Sequence, residues 1–216
     1  PPGKVRPEFF PTGFTPFRPA VLAPVPQFPP VPDPGTPVRV TCRAHAADSV
    51  QSVDLLWRID GQAAANTVPM QDDGASGDGA AGDSTFGALI PPQAHRAIVA
   101  FQISVTSASG KTDLYPPRPA QGQRTPYYLY EVDDDTPLDN GSASYRVIMT
   151  RADSDTLRNR AVGSDVLLNC TFIGDGEVHH MAAIRYRGEN SRTLDRKAYR
   201  IEFPPEDTFQ GIESLN

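Results

Sequence analysis

Val38-Arg39-Val40-Thr41-Cys42-Arg43-Ala44 and Val99-Ala100-Phe101-Gln102-Ile103-Ser104-Val105 decide the fold class. In each, every second residue is apolar, so an extended backbone collects Val38, Val40, Cys42 and Ala44 on one face and Val99, Phe101, Ile103 and Val105 on another. Two such half-buried strands belong to sheets packed face to face. Working outward, strands are expected at Val38–Ala44, Val50–Ile59, Ala65–Met70, Gly87–Ile90, Ala97–Ser107 and Lys111–Tyr115, punctuated by Asp60-Gly61 and Ser109-Gly110. The spacing fits an immunoglobulin-like or fibronectin-III-like β-sandwich over 38–116, with Trp57 as its core aromatic.

Upstream, residues 1–37 hold 13 of the 23 prolines, interspersed with Phe9, Phe10, Phe14, Phe17 and Phe28. Proline removes backbone donors, so neither a helix nor a central strand is expected there. The segment reads as an extended arm lying across a surface of this molecule or of a protein partner, or else as a stiff tether. Downstream, 117–125 is a Pro/Gly/Gln linker. A second domain over 126–216 follows, with strands at Tyr127–Val132, Tyr145–Thr150, Asp165–Ile173, Val178–Arg187 and Lys197–Phe203, and one helix over Ser154–Arg160 capped by Asp153. Asp133-Asp134-Asp135 reads as a solvated turn, and His179-His180 as ordinary strand residues on opposite faces.

The acidic, glycine-rich segment from Met70 to Gly87 carries Asp72, Asp73, Asp78 and Asp83. Hard cations take six to eight oxygens, and glycine bends a loop to offer them, so these four aspartates are candidate calcium ligands. The spacing is not that of an EF-hand, and the competing reading is a metal-free loop whose Asp side chains bond their own backbone.

The other candidate site is Ile184-Arg185-Tyr186-Arg187-Gly188-Glu189-Asn190-Ser191-Arg192 with Arg196-Lys197-Ala198-Tyr199-Arg200-Ile201-Glu202-Phe203. Six cations surround one turn. A hairpin here brings Lys197 close to Arg185 or Arg187, and Ser191 adds a hydroxyl donor, which together suit a phosphate. A solvated ribbon whose arginines pair with Glu189, Asp195 and Glu202 is the alternative.

That run resembles the Arg-x-Arg-Gly-x-Ser-Ser-Arg and Lys-Lys-Ser-Tyr-Arg-Ile-x-Phe signature of the spore-coat CotH kinase-like family, with Asn190 at the first Ser-like position and Arg196-Lys197-Ala198 for Lys-Lys-Ser. The tail from Asp207 to Asn216 is similar to that family's Asp-x-Phe-x-Gly-x-x-x-Leu-Asn segment. The resemblance implies a truncated α+β kinase-like N-lobe at 126–216, in which Arg185, Arg187, Ser191, Arg192, Lys197 and Arg200 line nucleotide phosphates. The family's metal-binding and catalytic Asp residues lie downstream of the Leu-Asn segment. The sandwich likewise resembles the one that precedes CotH-like domains in large bacterial surface proteins.

Composition adds limits. A net charge of −6 and no basic stripe with interleaved aromatics argue against nucleic acid. No apolar run reaches the ~20 residues that span a bilayer. The chain starts at Pro1 and stops inside a family motif, so it is expected to be a piece of a longer polypeptide. Cys42 and Cys170 are expected as buried free thiols rather than a disulfide. The resulting expectation is a non-catalytic, extracellular, periplasmic or cell-surface module that binds or scaffolds, part of a larger CotH-like protein. The alternative is part of a secreted atypical protein kinase, its intact parent passing phosphate from ATP, with Mg²⁺ or Mn²⁺, to Ser of a partner protein.

Overall fold

The computed structural model describes residues 20–22, 25–117, 126–134, 145–188, 192, 194–195 and 197–216. Most of the proline-rich arm, most of the linker, and Ser191 lie outside the described residues. The chain is mainly β. Its strands are β1 (Ala20–Leu22), β2 (Gln27–Phe28), β3 (Val38–His45), β4 (Val50–Ile59), β5 (Asn66–Pro69), β6 (Thr85–Ile90), β7 (Ile98–Ser107), β8 (Thr112–Tyr115), β9 (Tyr128–Glu131) and β10 (Tyr145–Ile148). One helix, α1 (Arg151–Asn159), then precedes β11 (Leu168–Gly174), β12 (Glu177–Tyr186), β13 (Tyr199–Glu202) and β14 (Ser214–Leu215).

Three antiparallel sheets result. In the first, β3 pairs with β6 along one edge and with β1 and β2 along the other. The second runs β5-β4-β7-β8, and β9 also pairs β7. The two sheets share one core: Val38, Val40, Cys42 and Ala44 of β3 meet Val53, Leu55 and Trp57 of β4 and Val99, Phe101, Ile103 and Val105 of β7. The alternation thus marks the buried faces. The end of the proline-rich segment is not a free tether, because β1 and β2 form an interrupted edge strand on β3. Proline is tolerated there since an edge leaves one side of the backbone without ladder partners.

The third sheet runs β10-β11-β12-β13-β14. The strand expected to open the second domain, β9, belongs instead to the second sheet, where Ile98–Phe101 of β7 pairs with it. Its outer edge then receives the third sheet: Leu129 N donates to Thr171 Oγ1 (3.2 Å) and Tyr127 N to Asn169 Oδ1 (3.1 Å). Every residue of β11 is consequently buried. Leu168, Cys170 and Phe172 join the core beneath α1, while Ile173 packs with Ala100 and Leu129.

Opposite Thr171, β12 carries an extra residue, since Cys170 pairs with Ala182 but Phe172 with His179. A bulge of this kind bends the strand and re-aims a side chain. Here it aims His180 between the sheets, against Phe101 and Tyr128 with ring centroids 5.7 and 5.3 Å away. His179 goes the other way, into Phe172, Phe203 and Phe209. Both lie in a strand and on opposite faces, as alternation leads one to expect, and both are buried.

The helix starts one residue after Thr150, which caps it in place of Asp153. Thr150 Oγ1 accepts from Asp153 N (3.1 Å) and donates to Asp153 Oδ2 (2.8 Å), a reciprocal cap that satisfies a first-turn amide. Asp133 is not in a solvated turn. It is buried and accepts from Arg146 Nη1 at 2.6 Å. Cys42 and Cys170 are buried and unbridged, and burial pushes the Cys42 thiol up to about 12.

Candidate functional site

The arginine cluster is built by register and by the loop after α1. In the β12/β13 ladder Arg185 lies opposite Arg200, Tyr186 opposite Tyr199 and Ile184 opposite Ile201. Facing pairs project to one side of the sheet, so Arg200, not Lys197, shares the face of Arg185. Lys197 lies beyond the ladder and donates from Nζ to the Arg192 carbonyl (2.8 Å), tying the turn together. Arg187 extends the ladder through its N–H to the Ala198 carbonyl at 2.9 Å. Arg200 turns away from the cluster, donating to Glu202 Oε1 (2.8 Å), with longer contacts to Ser214 Oγ and Asn216 Oδ1.

Arg185 and Arg192 are brought together by a residue that spacing did not single out. Asp165 Oδ1 accepts from Arg185 Nη1 at 2.8 Å and from Arg192 Nη2 at 2.6 Å. The hydrogen bond from Arg192 holds the Asp165 carboxyl below the usual carboxylate range, assisted by the Arg185 charge. A third guanidinium arrives from the C-terminal end of α1: Arg160 Nη1 donates to the Val166 carbonyl. Arg192 Nη1 also reaches the Val162 and Ser164 carbonyls, at 3.4 and 3.5 Å. Arg160 and Arg192 therefore tie the backbone of loop 162–166, and Arg185 and Arg192 meet on its one carboxylate.

Their donor capacity is not used up. Arg160 Nε and Nη2 and Arg192 Nε are buried and find no acceptor among the described residues. Burial, together with the charges of Arg192 and Arg185, lowers the Arg160 pKa. An open cavity of ≈ 340 Å³ borders the cluster, lined by Val162, Gly163, Gly188 and Arg192. Desolvated N–H groups without acceptors are costly, at about 1–3 kcal/mol each, and an anion relieves that cost.

The acidic loop has a different character. Asp78 Oδ2 accepts from the N–H groups of Asp73 (2.8 Å) and Gly74 (3.0 Å), and Asp73 Oδ1 from those of Ala75 (2.8 Å) and Ser76 (2.9 Å). Asp72 accepts from Gly82, Asp83 and Ser84, and Asp83 from Ala80 and Thr85. All four candidate ligands thus turn oxygens toward backbone donors of their own loop, as Asx turns do. The buried Asp78 Oδ1 is the carboxylate oxygen there with no partner.

No family model and no curated protein matches the chain. Among solved structures, the chain aligns with the cycloalternan-degrading enzyme from Trueperella pyogenes in complex with cycloalternan, at a TM-score of 0.32 and 9% identity. The alignment covers 76% of this chain and 21% of that one, so the chain spans about a fifth of that enzyme's length. At that score nothing about fold or activity passes from the enzyme to this chain.

Proposed function

We propose that this chain is a non-catalytic binding module that seats a phosphate-like anion in the arginine cluster around Asp165. The observation that carries the reading is the buried, acceptor-free Nε–H of Arg192, a residue that lines the cavity, with those of Arg160 bonded into the same loop. Among the described residues, the guanidiniums of Arg160, Arg185 and Arg192 outnumber the one Asp165 carboxylate, an excess that an anion offsets. Arg185 and Arg192 are also residues on which the resemblance to the CotH kinase-like family rests, so a nucleotide phosphate is the ligand that resemblance implies. In this reading the first two sheets form an immunoglobulin-like sandwich, and the third sheet with α1 is part of a kinase-like N-lobe. The module works outside the cell or at a bacterial cell surface, with the proline-rich arm available to a protein partner.

Among the described residues that line the cavity, Val162, Gly163, Gly188 and Arg192 offer donors and shape, which suit the seating of an anion. A calcium role for Asp72, Asp73, Asp78 and Asp83 would share their oxygens with the backbone donors they now hold, the unpartnered Asp78 Oδ1 excepted. Calorimetric titration of ATP and of inorganic phosphate, each with and without Mg²⁺, tests the reading. Saturable heat is expected, lost in Arg192→Gln and weakened in Arg185→Gln. Absence of heat for the unaltered chain overturns the proposal and leaves the arginines as ties for the loop.

A further inference from the structure

We infer that Asp165 is a built-in competitor for the anion, a carboxylate that fills the arginine cluster until a phosphate monoester displaces it. This rests on the anion-binding reading above and adds its regulation. Asp165 is 69% exposed in its side chain, yet its Oδ1 accepts short hydrogen bonds from two guanidiniums that are themselves mostly buried. A phosphate oxygen makes the same contacts with the same donors.

The loop that carries Asp165 is held in a way that permits its release. Val162 and Val166 are 52% and 63% exposed, so the flanking apolar side chains do little to pack it. Its ties are the Arg160 bond to the Val166 carbonyl and the Arg192 contacts to the Val162 and Ser164 carbonyls, and buried Leu167 anchors its far end. When the carboxylate leaves, Nη1 of Arg185 and Nη2 of Arg192 join the acceptor-free Nε of Arg192, and Arg160 adds its charge. Those donors suit a tetrahedral group with three terminal oxygens better than a planar carboxylate with two.

The displaced state sets the magnitude. Minor conformers are populated at roughly 0.1–10%, and apparent affinity is reduced by the fraction that is competent, so removing the competing charge should tighten binding about tenfold or more. The test is titration of phenyl phosphate into the full chain and into Asp165→Asn. Asp155→Asn, an equal charge change at an exposed position of α1, is the control. The expected result is at least tenfold tighter binding by Asp165→Asn, with Asp155→Asn unchanged. Binding by the unaltered chain that Asp165→Asn leaves the same or weakens, or that both variants tighten equally, overturns the competitor while sparing the anion site. No binding by any of the three overturns both. A measurement free of any folding defect accompanies it: on the unaltered chain, the Asp165 Cγ resonance should move toward that of a free carboxylate as phenyl phosphate saturates, and a static resonance under saturation overturns the inference.

Discussion

His180 makes the chain acid-sensitive by a calculable amount. Its ring lies between Phe101 and Tyr128, Nδ1 shares a hydrogen bond with Thr171 Oγ1 (3.1 Å), and Nε2 has no partner. Burial, and then the neighbouring His179, push its pKa down from 6.5 to about 3. The native state therefore keeps His180 neutral while the unfolded chain protonates it near pH 6.5. Stability is full above that value and is lost as pH falls from there toward 3. Between pH 7.5 and pH 5 the loss is about 2 kcal/mol, and it depends on the unfolded value alone so long as the folded one stays below about 4. The groups in contact with the His180 ring are Thr171, Phe101 and Tyr128, none of them a carboxylate that would hold the cation. Urea unfolding followed through the single, buried Trp57 at both pH values measures it in the unaltered chain and in His180→Gln, which keeps a partner for Thr171 but does not titrate. The unaltered chain should lose about 2 kcal/mol more than the variant over that interval. Parallel losses would refute the reasoning, because they would mean His180 reaches water or a counter-charge.

Other outcomes follow from the same contacts. At Gly87 an added Cβ would sit 2.5 Å from the Ser76 carbonyl oxygen and 3.2 Å from Asp78 Cβ, so Gly87→Ala should cost about 1–3 kcal/mol, visible as a lowered thermal midpoint. Asp78→Ala leaves the N–H groups of Asp73 and Gly74 without their acceptor and should cost about 1–3 kcal/mol, with faster proteolytic nicking in 71–84 as a local readout. Millimolar Ca²⁺ should leave the thermal midpoint of the unaltered chain in place, since the loop's carboxylates already bond its backbone; a clear rise would restore the oxygen-cage reading. Phe101→Ala, in the core shared by the first two sheets and touching Tyr128, Tyr130 and His180, should cost about 3–5 kcal/mol by urea unfolding.

Local patterns were legible in the sequence, and partners across the chain were not. Alternation gave β3, β4 and β7 almost to the residue, because a half-buried strand writes its burial into every second position. The fate of β9 could not be read that way: Tyr128–Glu131 looks the same whether it pairs forward or back, and its partner β7 is remote along the chain. His179 and His180 point to opposite faces as alternation leads one to expect, but both faces of the sheet are covered there, so both are buried. Arg185 and Arg192 were visible as a cationic run, but register decided that Arg200, rather than Lys197, lies opposite Arg185. Asp165 and Arg160 carry no motif at all. The faint signal was an arginine at the end of a helix followed by Gly163 and a lone Asp, which becomes a site only when β12 delivers Arg185 beside it.

Arginine side-chain NMR tests the anion site most directly. Phosphate titrated into the full chain should shift the Nε–H resonances of Arg160 and Arg192 together, saturating with one dissociation constant, while Arg146, held by Asp133 and Glu131, stays in place. Arg160 and Arg192 resonances that remain still, or that drift with Arg146 and never saturate, would contradict the account.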